Sequence, residues 1–188
     1  MTSKQPDLVL LARVLTESGI DYALIGGLAL QVHQAEPRTT LDIDVAVSSR
    51  EAIPREALAA AGFAATGSFP YTENWQGPGG TPVQFSDDAA FADAIRRAAS
   101  IDVANARLRV ITVADLVRAK LRSATEPARR ASKRLRDLAD IQELLEEHPE
   151  IAQDLSADER AALHALLPGK SSMPPSAPAR RPPASSSP

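Results

Sequence analysis

Between Tyr22 and Val47 the chain reads YALIGGLALQVHQAEPRTTLDIDVAV, and no other stretch limits the fold as tightly. An apolar run ends in Gly26-Gly27, a short helix-forming segment stops near Glu36-Pro37, and a second apolar run carries Asp42 and Asp44. The pattern predicts strand, glycine turn, helix over 28–34, loop, and strand over 41–47. Side chains alternate along a strand, so Asp42 and Asp44 share one face while Leu41, Ile43 and Val45 take the other. Their Cα atoms would lie about 7 Å apart, within reach of one divalent cation. The Gly-Gly turn lets backbone approach an anion, and free N–H groups at the start of the helix aim at the same place. A phosphate site beside a carboxylate metal site is what phosphoryl or nucleotidyl transfer requires. The plainer alternatives are two solvated acids on an edge strand and a tight turn that meets no phosphate.

A second block, VITVADLVRAKL followed by SKRLRDLADI, carries Lys120, Asp137 and Asp140. With Gly26, Gly27, Arg38, Thr39, Asp42, Ile43 and Asp44 in this order, the chain from about Ile20 to Glu147 resembles nucleotidyltransferase-fold proteins of the AbiEii toxin type. The resemblance implies an α/β (α+β) nucleotidyltransferase fold, a mixed sheet flanked by helices with a helical C-terminal part. It implies a bacterial, cytoplasmic, Mg²⁺-dependent transferase. An acceptor hydroxyl would attack the α-phosphate of a nucleoside triphosphate, with RNA such as the tRNA acceptor end as a target and an antitoxin protein as a cognate partner. In that scheme Asp42 and Asp44 hold metal and Gly26 and Gly27 cradle phosphates. Arg38, Thr39 and Lys120 bind the nucleotide, and Asp137 orients the lysine or assists proton transfer.

One position departs from the pattern. Many such folds place a third carboxylate on a neighbouring strand, where this chain has Val83-Gln84-Phe85. Glutamine is no base and a poor Mg²⁺ ligand. Asp87, Asp88 and Asp102 are candidates to replace it. Gln84 therefore favours a competing reading, a non-catalytic module that holds a nucleotide or a partner protein. Plain RNA binding rests on the basic patch alone and lacks stacking aromatics, which are 4% of the chain.

The 188 residues suffice for one domain over 1–168 plus a Pro/Ser/Ala-rich tail over 169–188 that cannot bury apolar surface and is expected to be disordered. Hydrophobic residues at 44% permit a core built from Leu, Ile, Val and Ala. The absence of cysteine excludes disulfides and thiolate metal sites. No apolar run is long enough for a membrane span, and the start MTSKQPDLVLLARVL shows no signal peptide. The net charge of −3 conceals a basic segment, Arg118 to Arg136, with eight Lys/Arg and one acid, Glu126.

Further helices are expected over 6–17, 51–61, 89–99, from Thr112 to 123, over 131–147 and from Ser156 to 167, where Ser156-Ala-Asp-Glu159 is a capping box. Strands are expected near 63–66, 81–86, 101–103 and 108–111, and 68–82 reads as a hairpin or a loop over the site. In the 131–147 helix the buried stripe would be Leu135, Leu138, Ile141 and Leu145. Asp137 at its edge enters a cleft or pairs locally with Lys133; Asp140 pairs with Arg136. Lys120 reaches phosphates or is a solvated helix lysine. Arg129, Arg130, Lys133 and Arg134 bind phosphate or form a solvated helix start. His33, His148 and His164 share no ligand spacing and read as structural or surface residues.

Overall fold

The computed structural model describes residues 5–36, 39–103 and 106–166. At its centre β1 (Tyr22–Ile25) and β2 (Ile43–Val47) run antiparallel, with Ile25 opposite Asp44 and Tyr22 opposite Val47. Strand β5 (Pro82–Ser86) joins β2 in parallel, and β4 (Thr72–Gln76) and β3 (Ala64–Phe69) extend that side as an antiparallel meander. On the other side β7 (Ala106–Val110) joins β1 in parallel, and β6 (Ala99–Val103) pairs antiparallel with β7. The result is one mixed seven-stranded sheet in the order β3-β4-β5-β2-β1-β7-β6, the α/β architecture expected.

Central strands are buried on both faces, which explains the near-continuous apolar run of 43–47. The outer strands alternate. Val83 and Phe85 on β5, and Trp75 on β4, turn one way into a core shared with Leu8, Leu11 and Leu15 of α1 (Gln5–Glu17) and Leu58 of α3 (Arg55–Ala60). Each such fully buried side chain contributes about 1.5–3 kcal/mol. Gln84 and Asn74 turn the other way, onto the face that carries Asp44. The remaining helices are α2 (Gly26–His33), α4 (Ala92–Arg97), α5 (Val113–Thr125), α6 (Ala131–Glu147), α7 (Ile151–Asp154) and α8 (Ala157–Leu166). None among the described residues is long and apolar enough to cross a membrane.

Local signals explain most boundaries. Thr112 Oγ1 accepts from the Asp115 N–H and caps α5. The Ser156 N–H donates to Glu159 Oε2 and the Glu159 N–H to Ser156 Oγ, a capping box on α8. Gly62, at φ +88°, closes α3. One long-range contact ties the first helix to the sheet: the buried Asp7 carboxylate accepts from the N–H groups of Gly79 (2.9 Å) and Thr81 (3.0 Å). A side chain at Gly77 would meet that carboxylate at 2.5 Å, so the β4–β5 loop closes around it.

Several expectations are corrected. Strand β2 begins at Ile43, and Leu41 is 79% exposed. The α2 helix starts at Gly26 rather than Leu28, because the glycine turn is itself its first turn. The expected 51–61 helix is a short 3-10 turn, then α3 after Pro54, because proline fits a helix start and not its interior. The 89–99 segment is likewise a 3-10 turn followed by α4. For 68–82 the hairpin alternative holds: the segment is the end of β3, then β4, with a turn on either side of β4. In α6, whose range is as expected, Leu135 is 67% exposed and the buried stripe is Asp137, Asp140, Ile141 and Leu144. Arg38, Leu167 and the 169–188 tail lie outside the described residues.

Candidate active site

Strand β1 delivers the chain into Gly26 at φ +64°, a conformation that glycine adopts without strain. Both glycines are also sites of close approach. A Cβ on Gly26 would meet Asp44 Oδ2, and one on Gly27 would stand 2.6 Å from Thr40 Oγ1. The turn therefore wraps the acidic strand entrance: the Asp44 carboxylate accepts a hydrogen bond from the Gly27 backbone, and Thr40 donates to Asp42 Oδ1. Asp42 stands exposed just before β2, and Asp44 is half-buried on it. Burial, and then the charge of Asp42, push the Asp44 carboxyl up to about 6, against the Gly27 N–H, Lys120 and Lys133. Two acids whose charges resist each other could share a cation.

Facing them across a cleft of about 830 Å³ are α5 and the start of α6. Lys120, Arg122, Ser123, Arg129, Lys133 and Asp137 line it together with Gly26, Asp42, Asp44 and Gln84. An adjoining cavity of about 470 Å³ shares both acids and adds Gly27, Thr39, Thr40 and Arg136. Of the residues singled out in the sequence, Gly26, Gly27, Thr39, Asp42, Asp44, Lys120 and Asp137 all line this continuous space, and Arg38 lies outside the described residues. Arg130 and Arg134 of the basic patch do not line it.

The lysine is not a loose point charge. Lys120 Nζ lies 2.5 Å from Asp140 Oδ2 and 3.5 Å from Asp137 Oδ1, and all three residues are buried. Asp137 Oδ2 also accepts from Ser123 Oγ (3.0 Å) and Arg129 Nε (2.8 Å). Neither aspartate makes the helix pair expected for it with Lys133 or Arg136. Asp140, read from sequence as a local partner, is the nearest acid to Lys120. No spacing rule could have found this, because the partners lie 17 and 20 residues apart on different helices. Among the described residues, Lys133 has no carboxylate within ion-pair distance and faces the cleft.

Gln84 stands in register with Asp44 and donates to Asn74 Oδ1 at 3.3 Å. The substitutes considered for a third acid are otherwise engaged or remote. Asp87 pairs with Arg50, Asp88 with Arg122, and Asp102 lies on the edge strand β6. Among the described residues no group of three or more acids or histidines could hold a metal. His33 is structural: its Nε2 lies 2.7 Å from the Ile111 carbonyl, and burial holds its pKa below the usual value. His148 in turn bonds the His33 carbonyl.

A family model described as "Nucleotidyl transferase AbiEii toxin, Type IV TA system" matches residues 9–183. Comparison with curated proteins finds no match. Among solved structures, an antigenic nucleotidyltransferase-like protein from Paracoccidioides brasiliensis superposes with a TM-score of 0.53 at 20% identity, over 85% of this chain and 92% of that one. The antibiotic-resistance factor ANT(2'')-Ia gives 0.53 at 14% identity, over 86% and 89%. JHP933 from Helicobacter pylori gives 0.54 at 16% identity, over 84% and 71%. At these identities the likeness speaks for the fold, which is that of the nucleotidyltransferases.

Proposed function

The chain belongs to the AbiEii family of nucleotidyltransferase toxins, and from there we propose that it transfers a nucleoside monophosphate from a nucleoside triphosphate to an acceptor hydroxyl, with Mg²⁺ as its resident cofactor. The observation that carries this reading is one cleft with Asp42 and Asp44 on one wall and Lys120, Arg129 and Lys133 on the other. Mg²⁺ is commonly held by one or two carboxylates together with substrate phosphates, so a pair of acids suits it without a third. The raised proton affinity of Asp44 beside Asp42 is what a cation would relieve. When bound, Mg²⁺ would polarise the α-phosphate and neutralise charge on the departing pyrophosphate.

The protein's own groups do the rest. Asp42 and Asp44 would hold the cation, whose charge would let the triphosphate approach the wall formed by the glycine turn. Lys133 and Arg129 offset phosphate charge from α6 and the loop before it. Asp137 and Asp140 hold Lys120 and Arg129 in place, so their role is to position cations. Gln84 has no basic site, and its amide donates to Asn74 Oδ1. The chain is proposed to act in the cytoplasm, with a cognate antitoxin as partner, as its family's type IV toxin–antitoxin description suggests.

The test is incubation of the pure protein with Mg²⁺, each α-labelled nucleoside triphosphate in turn, and total RNA or lysate. Label should appear on an acceptor and vanish in Asp42→Ala/Asp44→Ala, with the fold kept. Full activity in that double variant would remove the metal assignment. A second reading, a nucleotide-binding regulatory module, is favoured by Gln84 and by the missing third acid among the described residues. Metal-dependent nucleotide binding with no label transferred would select it, and Gln84→Asp would then be the variant to examine.

A further inference from the structure

Ser123 and Thr125 stand two residues apart on α5 and use their hydroxyls differently. Thr125 Oγ1 bonds back to the carbonyls of Leu121 (3.1 Å) and Arg122 (2.9 Å), as hydroxyls within a helix commonly do. The Ser123 hydroxyl leaves the helix and donates its one proton to Asp137 Oδ2 on α6, 3.0 Å away. Its oxygen keeps both lone pairs, and Ser123 lines the cleft half-buried.

The carboxylate that takes this proton bond is itself held. Asp137 Oδ2 also accepts from Arg129 Nε (2.8 Å), and Asp137 Oδ1 lies 3.5 Å from Lys120 Nζ. A hydroxyl, a carboxylate within hydrogen-bond reach and further groups that orient the carboxylate make up an activated nucleophile. Ser123 comes three residues after Lys120, on the same side of α5, and both share the cleft with Asp42, Asp44 and Lys133. A nucleotide in that cleft therefore meets a hydroxyl that belongs to the protein. Thr40 also donates to a carboxylate, but it is buried against Gly27, and its partner Asp42 stands on the wall assigned to the cation.

We propose that Ser123 is an internal acceptor and that the chain nucleotidylates itself there, which rests on the transferase reading of the cleft. Ser123 Oγ attacks the α-phosphorus of the bound nucleoside triphosphate. The bond from that phosphorus to the oxygen bridging it to the β-phosphate breaks, and pyrophosphate leaves with the electron pair. The hydroxyl proton passes to Asp137 Oδ2. The product is a phosphodiester between the serine and the nucleoside monophosphate. Lys120, Arg129 and Lys133 offset the phosphate charge during the step. The attached nucleotide then fills the cleft, so each chain reacts once and closes its own site.

The test is intact-protein mass spectrometry of the full chain after incubation with Mg²⁺ and each nucleoside triphosphate in turn, with no RNA or lysate added. The chain should gain the mass of one nucleoside monophosphate less water, and peptide mapping of the wild-type protein should place it on Ser123. The rate constant should not change with protein concentration, because donor and acceptor share one cleft. The adduct should be lost in Ser123→Ala, return in part in Ser123→Thr, and be absent from Asp42→Ala/Asp44→Ala. By calorimetry the modified chain should no longer bind fresh nucleoside triphosphate. An adduct on another residue, a rate constant that rises with protein concentration, an adduct that survives loss of both carboxylates, or unchanged nucleotide affinity in the modified chain overturns the proposal. No adduct from a nucleotide whose label reaches RNA or a lysate protein overturns it and leaves the transferase reading standing. Nucleotide that binds but passes neither to Ser123 nor to any added acceptor removes both.

Discussion

A Cβ built on Gly26 would stand 2.1 Å from Asp44 Oδ2, so the turn residue and the strand carboxylate compete for one volume. Gly26→Ala should then suffer twice, from its left-handed backbone at about 1–2 kcal/mol and from displacing Asp44. In an Asp44→Ala background only the backbone share should remain. A denaturation cycle of the two variants measures the difference, and strictly additive losses would refute the shared volume.

The Asp44 carboxyl sits at about 6 because burial and then Asp42 disfavour its charge, whereas the unfolded chain titrates near 3.8. Between those values the folded state keeps a proton the unfolded state has lost. Stability from this group is therefore full below about 3.8 and is lost as pH rises through about 6, a loss of roughly 3 kcal/mol. Denaturant midpoints in chelator should fall across that window, and Asp44→Asn should flatten the fall and raise stability at neutral pH. A midpoint that climbs with pH there, with the slope unchanged in Asp44→Asn, would contradict this.

Lys120 and Lys133 both face the cleft but differ in commitment. Lys120→Met would leave the buried Asp137 and Asp140 without their shared cation and should cost about 3–5 kcal/mol of stability. Lys133→Ala breaks no ion pair among the described residues; it should leave the melting temperature alone and weaken nucleoside triphosphate binding about tenfold. Calorimetry and thermal melts on both variants separate the two roles. Unchanged nucleotide affinity in Lys133→Ala would mean that the phosphates lie elsewhere.

Asp7→Ala removes the acceptor for two backbone N–H groups of the β4–β5 loop and should cost about 1–3 kcal/mol. Hydrogen exchange at Gly79 and Thr81 should quicken while nucleotide binding persists. Protection unaltered at both amides would show that the loop holds its shape without α1.

How much of this could be read beforehand follows from range. Tyr22–Ile25 and Ala131–Glu147 have the boundaries their local patterns predict, because apolar runs, prolines and caps act within a few residues. The Asp42/Asp44 pair was legible for the same reason. The face of α6 was not. Periodicity assigns carboxylates to solvent and leucines to the core, and it assigned Leu135 inward. Asp137 and Asp140 take core positions only because Lys120 comes from another helix to meet them.

The strand order also decides where the sheet can come apart. Strand β2 is held to β5 over four register pairs, from Ile43–Val83 to Ala46–Ser86, whereas β1 meets β7 through the single pair Leu24–Val110, helped by the Ile111 N–H to the Leu24 carbonyl. Each flank beyond these joins is an antiparallel run of neighbouring strands, β5-β4-β3 on one side and β7-β6 on the other. The seam between β1 and β7 is thus the shorter zip: under force or mild denaturant the β6–β7 ribbon should peel first. The carboxylate strand would stay clasped between β1 and β5, so Asp44 lies on the side of the molecule that lets go last.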